Sequence, residues 1–296
     1  MKDRKDVFMV CFVILHYKNL EDTLECVDSI QKNCTKNSYK IIIVDNGTAS
    51  FEEQKILKEH ADQTIFNETN LGFAKANNLG AKKAIEQYHP EYLAIINNDT
   101  LILQDDWIER ISKIDSNYHF DALGPNILTK DGFSVNPFPV YETEEQIKKA
   151  IHKAQKLNYI YQHPLLLPFL NLYLNRPRFF RKKQLPSCAT TPCVDVALHG
   201  CAIIFSKKYY ERYDNVFYNE TFLYHEEEFL DLRRKRDHLV FVYDPSLTIF
   251  HKEEASLQNT FGKKTYERKI FRNEEIIRSL QLLLKEIEEG RDAHEK

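Results

Sequence analysis

"LAIINNDTLI", residues 93–102, decides how this chain is read. An apolar run, Leu93 to Ile96, ends abruptly in two amides and a carboxylate, Asn97, Asn98 and Asp99, and apolar residues then resume. A short apolar run without polar alternation is the pattern of a strand buried on both faces, as in a parallel sheet covered by helices. Ligands of such sheets bind beyond the carboxyl ends of the strands, so a polar triplet at that end faces a crevice. Two other stretches repeat the pattern. In "IIIVDNGT" (41–48), Asp45 and Asn46 follow the apolar run and Gly47 permits the turn. In "FVILHYKN" (12–19), His16, Tyr17 and Asn19 do the same. A plain turn accounts for any one of these ends equally well. Together they predict a single ligand crevice built from three strand ends.

Working outward, apolar runs at Val10–Leu15, Ile41–Val44, Thr64–Phe66 and Leu93–Ile96 alternate with helical patterns. Leu20, Leu24, Val27 and Ile30 recur at steps of four and three, and Phe73, Ala76, Leu79, Ala84 and Ile85 mark a second stripe reaching about Tyr88. Strand followed by helix, repeated over residues 1–125, predicts right-handed βαβ units and an α/β fold, a doubly wound, mainly parallel sheet flanked by helices. Residues 126–260 form a second half, with a helical insertion at about 137–192, and 261–296 a C-terminal helix. Within the insertion, "LNYIYQHPLLLPFLNLYLNRPRFFRKK" (157–183) reads as a helical hairpin broken by Pro164 and Pro168. The alternative is a segment dipping into lipid headgroups, with Arg178, Arg181, Lys182 and Lys183 on anionic lipid. Beyond it come a strand and helix in "CVDVALHGCAIIFSKKYYERY", a helix starting near His225, and two short strands around Asp244-Pro245.

Composition narrows the function classes. With 296 residues, 43% hydrophobic and 29% charged, the chain can bury a sizeable core. A net charge of −3 removes the global electrostatic reason to expect nucleic acid. The six cysteines form no C-x-x-C pair and read as reduced thiols of a cytoplasmic protein. "VFMVCFVIL" (7–15) has the length of a signal-peptide core, but its charged flank is mixed and no small-residue cleavage site follows, so a buried strand fits better. A G-x-G-x-x-G is absent, and Gly262-Lys263 lacks the remainder of a P-loop, so neither hydride transfer nor P-loop chemistry is expected. Phosphate can instead be handled through Asp99 if it holds Mg²⁺ or Mn²⁺, since such sites use one or two carboxylates plus the phosphates of the substrate.

The ordered set "VILHYKN", "IIIVDNGT", "NLGFAKANNLG" (70–80), "IINNDT", "HGCAIIFSKK" and "FLYHEEEFLDLR" resembles family-two bacterial glycosyltransferases, particularly the rhamnosyltransferase-like and capsular-polysaccharide enzymes. It spans about residues 8 to 255, missing 137–192. The resemblance implies a glycosyltransferase A fold and an inverting, metal-assisted enzyme. Such an enzyme moves a sugar from a nucleotide diphosphate, UDP or dTDP, to a surface-polysaccharide or lipid-linked glycan acceptor, with the inner face of the cell membrane as the place of a lipid-linked one. It further implies that Asp45 accepts a hydrogen bond from the base while main chain at Leu15, His16 and Tyr17 frames it, and that Asn70, Gly72 and Asn77 lie beside the nucleotide. "NND" stands where the family has Asp-x-Asp: Asp99 keeps the metal-binding carboxylate, Asn97 can hydrogen-bond ribose, and Asn98 lies between them. His251 falls where some relatives place a third metal ligand. In "YHEEEF", Glu227 matches the catalytic base, Glu226 is the fallback, and Tyr224, His199 and Gly200 line the acceptor side. Three acids at a helix start also suit the helix dipole without any catalysis. A nucleotidyltransferase making an activated sugar and a non-catalytic nucleotide-binding partner of a transferase are the alternative functions.

Overall fold

A computed structural model describes residues 9–35, 38–132, 134–166, 168, 190–252 and 265–294. Its first half runs β1 (Val10–His16), α1 (Leu20–Asn33), β2 (Tyr39–Asp45), α2 (Phe51–His60), β3 (Gln63–Phe66), α3 (Phe73–Tyr88) and β4 (Tyr92–Asn97). These four strands pair in parallel, and Leu15 lies level with both Val44 and Asn97. Three strands therefore end at one edge, as expected from the apolar runs. Strand parity splits the core: Val10, Phe12 and Ile14 pack with Val27, Ile30 and Trp107 on one face, and Cys11 and Val13 pack with Ala76, Ala84 and Phe205 on the other.

The second half adds β5 (Thr100–Ile102), α4 (Trp107–Tyr118), β6 (Ala122–Leu128), α5 (Glu144–Gln162), β7 (Cys193–Val194), β8 (Ala202–Ser206), α6 (Lys207–Tyr210), α7 (Glu226–Asp237), β9 (Phe241–His251) and α8 (Thr265–His294). The sheet order is β3-β2-β1-β4-β8-β6-β9-β5, with β7 on β9. Strand β8 runs antiparallel to β4, with Ala202 beside Ile96. The residues that lead into β8, His199 to Cys201, are thereby brought to the carboxyl end of β4. Likewise the end of β9 meets the start of β5, His251 opposite Thr100.

One sequence expectation changes. Instead of two strands around Asp244-Pro245 there is one, β9, whose pairing with β6 jumps from Asp244 opposite Pro125 to Thr248 opposite Asn126. Proline lacks the ladder N–H, so the chain bulges past Pro245 and resumes pairing without ending the strand. The insertion opens with a single long helix, α5, whose Ile147 and Ile151 pack with Phe229, Leu280 and Leu283 of α7 and α8. The hairpin's remainder, with Arg178, Arg181, Lys182 and Lys183, lies outside the described residues. Cys11, Cys26, Cys34, Cys193 and Cys201 are free thiols. Among the described residues no helix is long and apolar enough to cross a membrane.

Candidate active site

A pocket of about 200 Å³ opens at the aligned strand ends. Leu15, Tyr17, Asn46, Asn97 and Asn98 form its sheet wall, Asn70, Gly72 and Phe73 its α3 end, and Leu223, Tyr224 and Phe271 the wall opposite. Three expected residues lie behind that surface. His16 is fully buried, its Nδ1 2.7 Å from the Thr23 hydroxyl, and burial holds its imidazole below the ordinary pKa. Asn77 is fully buried within α3 and donates to the Phe73 carbonyl. Asp45 is 1% exposed, and its carboxylate accepts the N–H groups of Thr48 and Ala49 and the Thr48 hydroxyl. Three of these bonds fall on Oδ1, and of the "DN" pair it is Asn46 that lines the pocket.

Asn46 also holds the opposite end of the pocket in place. Its amide donates to Asn70 Oδ1 at 2.8 Å and to the Gly72 carbonyl at 3.1 Å, and its oxygen accepts the Leu71 N–H at 2.9 Å. Asn98 ties the β4–β5 turn to the start of α1, donating to the Asn19 carbonyl and the Thr23 hydroxyl. Gly72 needs to be glycine: its φ is +83°, and a Cβ there would collide with the Phe222 carbonyl. That same carbonyl accepts the Phe73 N–H at 2.8 Å, which ties the 222–225 turn to the start of α3.

Below the pocket, Asp99 Oδ1 lies 3.1 Å from His251 Nε2, with side-chain exposures of 15% and 12%. Burial would lower the His251 pKa, but the hydrogen bond to Asp99 and the neighbouring Cys201 sulfur push it up to about 11. The His199 ring centroid is 6.2 Å from that of His251. His199 is itself positioned by Asn136, whose Oδ1 accepts the His199 N–H at 2.8 Å while its amide donates to the Pro125 carbonyl. Asp99 offers one carboxylate oxygen at the crevice edge, and His251, whose proton is held by Asp99 and the Cys201 sulfur, would offer an imidazole nitrogen once a cation displaces that proton. This donor set fits Mg²⁺ or Mn²⁺ that draws its other ligands from phosphate and water. Among the described residues no group of three or more His, Cys, Asp or Glu could hold a metal ion.

The acidic triplet divides by environment. Glu227 Oε1 accepts the Gly200 N–H at 2.9 Å. Glu228 pairs with His225 Nδ1 at 3.0 Å. Glu226 is buried, and desolvation, followed by repulsion from Glu227, pushes its carboxyl up to about 8. Just before the helix, Tyr224 and His225 hold consecutive left-handed conformations, φ +70° and +71°, costly for residues other than glycine. A continuous wall therefore links Asp99 to His251, His199, Gly200 and Glu227.

Residues 11–176, more than half of the chain, match the model of Glycosyl transferase family 2. The chain belongs to that family. Among relatives of this family-2 chain, the low-salt glycan biosynthesis hexosyltransferase Agl10 of Haloferax volcanii is 26% identical over 131 residues, 44% of this chain and 40% of the relative. The similarity thus spans well under half of that protein's length. S. aureus TarS, residues 1–349, superposes with a TM-score of 0.50 at 12% identity, covering 91% of this chain and 69% of that one. GalNAc-T7 with UDP, GalNAc and Mn²⁺ superposes with a TM-score of 0.53 at 14% identity, covering 82% and 43%. At these identities the likeness is one of fold, and the fold is the glycosyltransferase A type, α/β with a mostly parallel central sheet.

The structure brings Leu15, Tyr17, Asn70, Gly72, Asn97 and Asn98 to one pocket, puts Tyr224, expected on the acceptor side, in that pocket as well, and links Asp99, His251, His199, Gly200 and Glu227 through contacts. The sequence reading missed Asn136, Phe73, Leu223 and Phe271 as site residues, and it gave Asn46 no contact role. Only Asn46 carried a signal, as the polar neighbour of Asp45 at a strand end.

Proposed function

We propose that this family-2 protein transfers a sugar, with inversion, from a UDP- or dTDP-sugar to a hydroxyl of a surface polysaccharide or lipid-linked glycan precursor. It does so in the cytoplasm, at the inner membrane face where the acceptor is lipid-linked. Rhamnosyl and capsular acceptor chemistry is the subtype its motifs resemble. The observation that carries the reading is the continuous wall from the Asp99–His251 pair to Glu227, two to three contacts long, beside a pocket at the strand ends.

In this reading the strand-end pocket holds the nucleotide, with Asn97 and Asn98 near the ribose. Asp99 and His251 would hold the Mg²⁺ or Mn²⁺, which supplies positive charge to the leaving diphosphate. Glu227 takes the proton from the acceptor hydroxyl as that oxygen bonds to the anomeric carbon. The bond from that carbon to the diphosphate oxygen breaks, and its electron pair leaves with the nucleotide. Glu227 is preferred to Glu226 because Glu226, with its carboxyl pushed up to about 8, keeps its proton near neutral pH and cannot accept another. The Gly200 N–H holds one Glu227 oxygen and leaves the other for the acceptor.

Assaying a panel of UDP- and dTDP-sugars with and without Mn²⁺, and reading the product anomer by NMR, tests this directly. Asp99→Ala and Glu227→Gln should each lower transfer by at least about 100-fold with the fold intact. Near-normal turnover in both variants, or a product that retains the donor configuration, would overturn it.

A further inference from the structure

We propose that the groove between α5 and α8 binds a phosphate group of the acceptor, so that the acceptor is an anionic, phosphate-bearing glycan carrier. The acceptor role rests on the transferase reading above; the phosphate site itself does not. The groove is a cavity of about 440 Å³, closed at one end by the His225 turn. Lys153 of α5 and Lys269 and Arg272 of α8 converge on it, and no carboxylate of the described residues lines it. Among the described residues none of these three cations forms an ion pair. Of the nearby acids, Glu228 pairs with His225 and Glu275 with Arg278 through one oxygen each, and Glu274 accepts from Asn158 at 3.5 Å. Three cations from two helices, without an ion pair among the described residues in a chain of net charge −3, make a local anion site rather than a solvated basic face.

A second observation points inward. Asn273 lines the same cavity, is 8% exposed, and its side-chain amide nitrogen is buried with no acceptor among the described residues. A buried unpaired donor is costly, and a phosphoryl oxygen is an acceptor that removes the cost. Aromatic walls complete the groove: the Lys269 ammonium lies 5.1 Å from the Tyr161 ring centroid.

Position gives the site its role. The Arg272 guanidinium lies 5.8 Å from the Tyr224 ring centroid, and Tyr224, with Phe271 from the same helix, lines the strand-end pocket. A phosphate anchored in the groove would therefore hold the attached glycan beside the turn that leads to Glu227. Two carriers share this chemistry, the diphosphate of a lipid-linked precursor and the phosphodiester of a charged polymer.

Calorimetric titration of the full chain in EDTA, so that no cation draws the ligand to Asp99, is the test. Inorganic pyrophosphate should bind, and Lys153→Ala with Lys269→Ala should weaken it at least tenfold, while Lys153→Arg with Lys269→Arg restores it to within about threefold. Phosphatidylcholine vesicles carrying a polyprenyl diphosphate, titrated against a soluble glycerol phosphodiester oligomer, then separate the two sources by which one the same alanine pair weakens. If the alanine pair does not fold, Asn273→Asp, which puts a carboxylate into the groove, should abolish pyrophosphate binding. No pyrophosphate binding to the wild type, or binding unchanged in the variants, overturns the proposal. Failure to turn over any nucleotide sugar would instead sink the transferase reading and leave the anion site standing.

Discussion

The two walls of the crevice differ in how far their polar groups are satisfied. On the sheet wall Asp45 is held by its own turn, Asn46 by the 70–72 loop and Asn98 by Asn19 and Thr23, while His16 Nε2 is buried without a partner among the described residues and Lys18 sits at φ +66°. On the wall opposite, two non-glycine residues sit at positive φ, and the Tyr224 hydroxyl, Glu226 Oε1 and Glu228 Oε2 are buried without hydrogen-bond partners among the described residues. Satisfied polar groups on parallel strands make a rigid template. Strained backbone and orphaned polar atoms cost free energy that the rest of the fold must offset, and they concentrate where ligands are handled. In the proposed reading the sheet wall sets where a donor lies, and the 222–228 wall sets what happens to it.

The joint between the walls should give the largest effect. Gly72→Ala forces an alanine to φ +83° and drives its Cβ into the Phe222 carbonyl, so the 222–225 turn must leave α3. A loss of about 3 kcal/mol in urea unfolding is expected, with transfer down at least about 100-fold. An alanine variant as stable and active as the wild type would mean that the walls are not clamped here. Asn46→Ala breaks the sheet wall alone. It removes three hydrogen bonds and leaves the Leu71 N–H and Asn70 Oδ1 each short of one partner, for about 2 kcal/mol and a weaker nucleotide Kd by calorimetry. If nucleotide affinity is untouched, the 70–72 loop is not part of the donor site.

This contrast was half legible in the sequence, for a physical reason. Burial on both faces forces continuous apolar runs, so strand existence, parallel order and the common edge could be read from β1, β2 and β4. Which residue at a strand end meets the pocket could not, because it depends on register. His16 and Asp45 lie opposite each other and share the buried side, while Leu15 and Asn97, also level, share the pocket side. Asn136 left no local trace, since it acts only through contacts 11 and 63 residues away along the chain. Left-handed Tyr224 and His225 are invisible too, because residue type predicts that conformation only for glycine and, more weakly, asparagine. The acidic triplet was visible as a helix start, but three neighbouring glutamates look alike until 100° steps around α7 turn one inward, one to Gly200 and one to His225.

Glu226 allows the strained wall to be weighed by pH. Its carboxyl is near 4.5 in the unfolded chain and pushed up to about 8 in the folded one by burial and then by Glu227. Between these values the folded state holds a proton that the unfolded state has lost. The contribution is fully present below 4.5 and is lost as pH rises through 8. Glu226→Gln cannot ionise, so its stability relative to wild type should rise by roughly 1–3 kcal/mol between pH 4 and pH 9, measured by urea unfolding at each pH. A difference that stays flat with pH would mean that Glu226 already ionises in the fold.

The smallest effect separates positioning from folding. A Cβ at Gly200 would come within 3.0 Å of Glu227 Oε1 and 3.8 Å of Phe73 Cζ, and the nearer atom is the free end of a flexible side chain. Gly200→Ala should therefore cost under about 1 kcal/mol of stability, since the carboxylate moves aside by a few tenths of an ångström. That displacement loosens the 2.9 Å bond from the Gly200 N–H, which aims Glu227. Because Gly200 does not line the strand-end pocket, donor KM should hold while kcat falls about tenfold, as misplacement of a proton acceptor demands. A rise in donor KM at constant kcat would instead put the 199–201 segment on the donor side, and the division of labour between the two walls would have to be redrawn.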